Sequence, residues 1–545
     1  MSFAYFHQII SSFLVKDEGT DTKTGNKMEN TQKYRLLWVD DEIEHLKPHL
    51  FFLKEKGFQI DTATNGKDAL AMLSKQVYSL VFLDENMPGI SGLDTLMRIK
   101  EKLPSLPVIM VTKSEEEEIM DQAIGSKIAD YLIKPVNPKQ VLSSIKRTLG
   151  RESLISKKAT TDYQSVFSQI GLRLNDRLSY TEWYQIYKQI IYWELELQYS
   201  NSPMSEVLLM QKTEANNQFT RFVKDNYRDW LQSDDAPMMS HTIFKRKILP
   251  LLKEEKPVVM IVIDNFRADQ WELIKRDLAP YYSLREDELY ISILPTATQY
   301  ARNAIFAGML PSNIVKIRPE LWVEDDQEGS KNQHEEALIN DYFSRMREKV
   351  KVHYQKISDT NSGRKLLDNY SYIKDHQLSV IVVNFVDMLS HARTEMKMIR
   401  ELISDESSYR SLTQSWFKHS PLFDLLKRLA QEDVNIVVTT DHGTIRVQNP
   451  VKVIGDRNTN TNLRFKQGKN LAYDAKSVFE VKKPEQIFLP RPNISTSYIF
   501  ATGSDFFAYP NNYNYYAGYY KDTFQHGGIS MEEMMIPFAI LEPKK

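Results

Sequence analysis

Five short apolar runs in this chain each stop at an aspartate: RLLWV at Asp40, SLVFL at Asp84, VVMIVI at Asp264, SVIVVNFV at Asp387 and NIVVTT at Asp441. Runs this dense in apolar and β-branched residues read as strands, the densest of them buried on both faces as in a parallel sheet. In open α/β sheets the C-terminal strand ends converge on the ligand crevice, so carboxylates placed there share sites. The pattern predicts an α/β multidomain chain, and no solenoid-type repeat interrupts it. The length of 545 residues agrees, since one domain per roughly 150 residues gives about three to four.

Composition narrows the chemistry. With no Cys, disulfides, thiolate zinc sites and a Cys nucleophile are excluded, and any metal must sit on carboxylate, imidazole or hydroxyl. Lys and Arg number 70 against 72 Asp and Glu, a net charge of -2. That balance gives no whole-chain field for binding nucleic acid, although a local basic patch stays open. No stretch approaches the roughly 18 to 20 apolar residues of a membrane span, so no membrane insertion is expected. The N-terminal run FAYFHQIISSFLV contains His7 and Gln8 and has no basic segment before it, which reads as non-secretory and makes a cytoplasmic location the expectation.

Four regions follow. Residues 1–30 read as a disordered extension, with Met28 a plausible alternative start. Residues 31–150 alternate short strands with amphipathic segments, as a doubly wound, flavodoxin-like parallel sheet requires. Residues 151–255 change to helical periodicity: Trp183, Ile186, Ile190, Trp193 and Leu197 make one buried stripe, a second helix runs from near Pro203 to Leu231, and a third starts about Ser240. This predicts a helical bundle linking two α/β domains. Residues 256–545 form the second α/β domain, in which the charged, strand-poor stretch 311–377 reads as an inserted cap over the site.

In the first α/β domain Asp40, Asp41 and Asp84 end two strands, Thr112 follows PVIMV and Lys134 follows DYLI. Three clustered acids call for a hard cation, and Mg²⁺ suits oxygen ligands and phosphate chemistry. A lysine can neutralise an acyl phosphate, and a hydroxyl can bond a phosphoryl oxygen. Glu115 to Glu118 read as a solvated helix start. These positions, with the stretch DENMPG and the Tyr131 to Lys134-Pro135 end, resemble a two-component receiver domain. The resemblance implies a histidine kinase as partner and Asp84 as phosphoacceptor. It also implies Mg²⁺ on Asp41, Asp84 and the Asn86 carbonyl beside Asp40, Thr112 and Tyr131 as switch residues, and a cis bond at Lys134-Pro135. No DNA-reading motif follows the receiver, which argues against direct DNA binding.

In the last domain Asp264, Asp387 and Asp441 end three strands, and His442 follows Asp441 directly. Asp387 and His391 stand one helical turn apart, a ligand spacing, and His526 lies in the Gly-rich FQHGGIS. In LPTATQYARNAIF, helical periodicity starts after Thr298, which places Thr298 as an N-cap at an anion-favouring helix start. Arg267 and Arg302 lie near these motifs and could contact phosphate, against the common reading of an arginine as a surface residue. The Tyr-rich segment SDFFAYPNNYNYYAGYYKDT reads equally as a base-stacking surface and as a packed loop.

These residues resemble the alkaline phosphatase superfamily, most closely its PglZ branch. The resemblance implies two Zn²⁺: one held by Asp264, Thr298, Asp441 and His442, with Thr298 as the metal-activated nucleophile, the other by Asp387, His391 and His526. Ions about 4 Å apart would stabilise the attacking and leaving oxygens of an in-line displacement. A threonine nucleophile excludes formylglycine sulfatase chemistry and points to phosphodiesters, nucleotides or oligonucleotides among them; no organic cofactor is implied. Receiver, helices and PglZ domain together resemble the PorX-like response regulators of type IX secretion, implying a PorY-like sensor histidine kinase and a phosphorylation-promoted homodimer. Two alternatives stay open: a non-catalytic, zinc-stabilised signalling scaffold, and a monoesterase or phosphomutase of the same fold.

Overall fold

The computed structural model describes residues 34–103, 106–113, 128–149, 163, 166–198, 204–324, 327, 330–456 and 459–544. The 1–30 extension and Glu115 to Glu118 lie outside these residues.

Strands β1 (Arg35–Val39), β2 (Gln59–Ala63), β3 (Leu80–Leu83), β4 (Val108–Thr112) and β5 (Asp130–Ile133) form one sheet in the order β2-β1-β3-β4-β5. Every pairing is parallel. Helices α1 (Lys47–Glu55), α2 (Gly66–Leu73), α3 (Gly92–Lys102) and α4 (Pro138–Leu149) connect and cover it. Alternate residues of β1 feed different cores: Leu36 and Trp38 join one with Phe82 and Ile109, while Leu37 and Val39 join the other with Leu83 and Met110. Burial on both faces explains why RLLWV and SLVFL carry no polar alternation. The predicted flavodoxin-like sheet is present.

The helical region is built on α5 (Tyr180–Leu197) and α6 (Met204–Trp230). A capping box at Ser179 and Glu182 starts α5, and its predicted stripe from Trp183 to Leu197 is buried throughout. The third helix begins at Ser240 as a 3₁₀ turn, then passes through a π segment, Phe244–Ile248. These linker helices pack with the last domain: Tyr163–Gln198 and the residues from 204 onward form one compact unit.

That unit contains a six-stranded sheet of β6 (Val258–Ile263), β7 (Tyr282–Ile291), β8 (Val352–Ile357), β9 (Leu378–Val383), β10 (Asn435–Thr439) and the C-terminal strand Met535–Pro543. Its order is β7, C-terminal strand, β10, β6, β9, β8. The strands β10, β6, β9 and β8 are mutually parallel, and the C-terminal strand runs antiparallel to both neighbours. The sheet is therefore mixed. The stretch 311–377 is more than a cap: it supplies β8, whose side chains are all half-buried as an edge strand allows. It also supplies α8 (Glu335–Met346), packed on α7 (Thr298–Ala307), the helix that begins at Thr298.

Candidate metal centres and phosphoacceptor site

At the C-terminal edge of the first sheet, Lys134 Nζ lies 2.7 Å from both Asp40 Oδ2 and Asp84 Oδ2. Ligand oxygens of Asp40, Asp41 and Asp84 all fall within 4.8 Å of one another. Burial pushes the Asp84 carboxyl up, against the pull of Lys134. For Lys134, burial opposes the charge, but its bonds to Asp40 and Asp84 outweigh it and leave the ammonium above the ordinary range. Thr112 ends β4, fully buried, and Tyr131 lies within β5. Asn86 is exposed on the loop after Asp84, and the Lys134-Pro135 bond is cis. Gly92 lets this loop close, since a side chain there would strike the Asp84 carbonyl at 2.3 Å.

In the second sheet β10, β6 and β9 are adjacent, so the segments following them deliver Asp441, Asp264 and Asp387 side by side. Asp264 directly follows β6. Asp387 is displaced from the predicted strand end: β9 stops at Val383, and Asp387 sits in the first turn of α9 (Phe385–Glu395), with His391 one turn on. Two clusters result, each with ligand atoms within 4.8 Å of one another. One contains Asp264, Asp441 and His442; the other contains Asp387, His391 and His526.

In the first cluster, Thr298 Oγ1 lies 3.1 Å from His442 Nε2 and 3.4 Å from Asp264 Oδ1. Thr298 is not the N-cap. Ala297 takes that position in extended backbone, and Thr298 is the first helical residue. The consequence is chemical, because a capping hydroxyl would be spent on backbone N–H groups, whereas this one faces the cluster. In the second cluster, Asp387 Oδ1 lies 3.6 Å from His391 Nε2 and 3.8 Å from His526 Nε2. The His391 side chain is 60% exposed, so this cluster opens to solvent. The rings of His442 and His526 stack at 4.2 Å, joining the clusters.

Tautomers follow from partners. His442 Nδ1 lies 3.1 Å from the Gly443 carbonyl, and His526 Nδ1 lies 3.1 Å from the Thr296 carbonyl. A carbonyl only accepts, so both Nδ1 atoms carry hydrogen and both Nε2 lone pairs point into the site. Burial pushes each of these imidazoles down to about 4, which keeps them neutral at ordinary pH. Burial, with Asp264 adding its charge, pushes Asp441 up to about 7 and raises Asp387 as well. For Asp264 burial is outweighed by Arg302, and its carboxyl stays below the ordinary range.

The donor set suits zinc. Asp441 Oδ2 is buried without a hydrogen-bond partner, and a neutral imidazole lone pair and a second carboxylate stand beside it. A tetrahedral ion with ligands about 2.0 Å away separates its ligand atoms by about 3.3 Å, within the span of contacts seen here.

Two contributors escaped the sequence reading. Asn265 adopts a left-handed backbone, φ 61°. Its N–H approaches Asp441 Oδ1 at 3.4 Å, and its side chain donates to Asp387 Oδ1 at 3.3 Å, bridging the clusters. An Asn directly after a strand-end Asp is the signal for such a turn. Glu335 is the other, paired with Arg302. Neither Arg302 nor Arg267 is a surface residue: Arg302 pairs with Asp264 and Glu335, and Arg267 with Asp269 and Glu406. The Tyr-rich segment forms a helix, Tyr513–Tyr520, with no buried residue.

Three family models match the chain. A response regulator receiver domain matches residues 36–146, a PorX response regulator linker domain matches 153–231, and a BREX system PglZ alkaline phosphatase-like domain matches 243–540. The chain is similar to the transcriptional regulatory protein ResD of Bacillus subtilis (strain 168), with 34% identity over 129 residues, 24% of this chain and 53% of that protein. It is similar to a CpxR homolog of Haemophilus influenzae, with 37% identity over 121 residues, 22% of this chain and 52% of that protein. The chain spans about half the length of the curated relatives it matches. A CheY-like receiver from Methanospirillum hungatei JF-1 shares 27% identity over 22% of this chain and 96% of its own, with a TM-score of 0.22. By these family models the chain combines a receiver domain, a linker domain and an alkaline phosphatase-like domain. Among the described residues no helix is long and apolar enough to cross a membrane.

Proposed function

Because the chain belongs to the PglZ alkaline phosphatase-like family, whose model spans more than half of it, we propose that it is a PorX-like response regulator with a zinc-dependent phosphodiesterase as output. The observation that carries this is the Thr298 hydroxyl, 3.1 Å from His442 Nε2 at the start of a helix. Asp264, Thr298, Asp441 and His442 would hold one zinc, and Asp387, His391 and His526 the second. Bound zinc would supply Lewis acidity that lowers the pKa of the Thr298 hydroxyl and offsets charge on the phosphoryl oxygens. The chain's own residues do the rest. Thr298 loses its hydroxyl proton to solvent, its oxygen attacks phosphorus as the bond to the leaving alkoxide breaks, the alkoxide takes a proton from solvent, and water then hydrolyses the phosphothreonine, returning the Thr298 hydroxyl and releasing the phosphate monoester. Backbone N–H groups of the first turn of α7 face the developing negative charge, and the Nδ1–H bonds of His442 and His526 hold both rings in orientation.

A nucleotide-type substrate is favoured by the Tyr513–Tyr520 helix. The Tyr519 hydroxyl donates to the Thr394 carbonyl at 3.0 Å, less than one turn beyond His391, while Tyr515 stays 64% exposed. Stacking faces therefore flank the solvent-open cluster. Turnover of bis(p-nitrophenyl) phosphate and of cyclic and linear oligonucleotides by the zinc-loaded chain tests this. Hydrolysis of simple monoesters alone would favour the monoesterase alternative, and zinc binding without any turnover the scaffold.

Zinc affinity at the first site should fall about tenfold per pH unit below about pH 7, since one proton on Asp441 competes with the ion while the imidazoles stay neutral. In the zinc-free chain the sign reverses. A carboxyl raised from 3.8 to about 7 stabilises the fold while protonated, and that contribution is lost as pH rises through about 7. Chelator competition from pH 6 to 8 checks the first statement; a flat profile contradicts it.

Regulation would run through Asp84, phosphorylated by a PorY-like histidine kinase, with the phosphorylated chain forming a homodimer in the cytoplasm and acting on type IX secretion. Beryllofluoride with Mg²⁺ should double the sedimenting mass, and Asp84→Asn should abolish the response. An unchanged mass in the unsubstituted chain removes the dimer from the scheme.

A further inference from the structure

We infer that Arg302 and Glu335 form a buried positioning pair that tunes the first zinc site from outside it. The inference rests on the reading of Asp264, Thr298, Asp441 and His442 as zinc-holding residues.

Arg302 follows Thr298 by one turn of α7 and is 1% exposed. Its Nη1 lies 3.0 Å from Asp264 Oδ2 and 3.6 Å from Asp441 Oδ2. The two oxygens of Asp264 are thereby divided. Oδ2 is taken by the guanidinium, while Oδ1 faces Thr298 Oγ1 at 3.4 Å and His442 Nε2 at 3.8 Å. One oxygen is held so that the other is aimed, as outer partners of metal-ligating carboxylates commonly do.

A guanidinium in that place carries a risk. Left alone it is a fixed cation beside two acids, a rival to the divalent ion for the same carboxylates. Glu335 removes the rivalry. It is 1% exposed, and its Oε1 lies 2.6 Å from Arg302 Nε. Oε1 also accepts from Asn332 Nδ2 at 3.0 Å, while Oε2 accepts from the Tyr354 hydroxyl and lies 3.6 Å from Lys356 Nζ. These contacts fix Glu335, Glu335 offsets the guanidinium charge, and Arg302 then acts on Asp264 as an oriented ion-pair partner. The same face of α7 grips this part of the chain elsewhere, through Gln299 to the Val323 carbonyl and Asn303 to the Lys331 carbonyl. The segment that reads as a cap thus sets the chemistry beneath it.

Zinc-stripped full-length chain, titrated with zinc against a chelator and with Co²⁺ for its visible d–d bands, separates the possibilities. The unsubstituted chain should bind two ions. Glu335→Gln should weaken one of them roughly 10- to 100-fold, change one Co²⁺ spectrum and leave the other ion unaffected. The double variant Arg302→Met with Glu335→Gln should bind more tightly than Glu335→Gln alone, because the unpaired cation is gone. Arg302→Lys keeps the charge but cannot hold Glu335 and Asp264 together, and should weaken the same ion about tenfold. Two ions bound with unsubstituted affinity in both Glu335→Gln and Arg302→Lys overturn the positioning role, as does a double variant no tighter than Glu335→Gln. An unsubstituted chain that binds no zinc instead overturns the metal reading beneath it.

Discussion

Thr298→Val should lower diester turnover by roughly ten-thousandfold or more, the scale on which loss of a nucleophile acts in covalent catalysis, while zinc content stays close to that of the unsubstituted chain. Valine is nearly isosteric with threonine, so packing at this half-buried position is kept and only the hydroxyl is lost. Asp264, Asp441 and His442 remain to hold the ion. The helix should persist as well, because Thr298 makes no cap and Ala297 supplies the extended backbone that starts α7. Parallel measurement of zinc content and bis(p-nitrophenyl) phosphate turnover decides the case. Turnover within tenfold of the unsubstituted chain removes Thr298 as nucleophile. Loss of both zinc and turnover makes it first a ligand.

The degree to which this arrangement is visible in the sequence follows from where polarity interrupts a pattern. Asp264 and Asp441 stand out because a charge ends a run that is otherwise buried on both sides, and such a carboxylate needs a partner or an ion. Asp387 is visible for the same reason although its strand stops earlier, at Val383. Thr298 is visible as a helix start but not as a group turned away from capping, since the sequence TATQ offers two hydroxyls, Thr296 and Thr298, and only the cluster decides which way each faces. The pairing of Arg302 with Glu335 is hidden for two reasons. They lie 33 residues apart, and every residue of α7 from Gln299 to Ala307 is buried, so no exposed stripe shows which polar side chains point inward. Strand direction is hidden too: nothing in MIPFAILEP distinguishes the antiparallel C-terminal strand from its parallel neighbours. The edge strand β8, VHYQKI, has three polar residues in six and reads as a solvated segment until it is placed beside β9.

Lys212→Met should destabilise the C-terminal unit by about 3–5 kcal/mol, the cost of removing one member of a buried ionic group. Lys212 Nζ lies 2.9 Å from both Glu194 Oε1 and Glu532 Oε1, and its side chain is 8% exposed. Burial opposes its charge, but Glu194 and Glu532 outweigh burial and hold the ammonium above the ordinary lysine range. A raised lysine stabilises the fold at every pH below its unfolded value of about 10.4, so the loss should be constant from pH 6 to 9. The effect should also reach the metal site. Asn216, one turn along α6, donates to Glu532 Oε2 at 3.0 Å and accepts from Met531 N at 2.8 Å. Gly443, beside His442, leaves room for the Glu532 carbonyl, which a side chain there would meet at 2.0 Å. Glu533 in turn accepts from Gly528 N at 2.9 Å, two residues from His526. The helix α6 therefore braces the segment that supports both His442 and His526, which gives the linker a physical route to the site. Urea unfolding followed by Trp fluorescence reports this unit, since Trp38 is the only one of the seven tryptophans in the receiver. Adding Glu194→Gln and Glu532→Gln to Lys212→Met should recover most of the loss, because the unpaired carboxylates go with the lysine. If Lys212→Met costs less than about 1 kcal/mol, the pair is solvated in solution and the route from the linker to the histidines does not run through it.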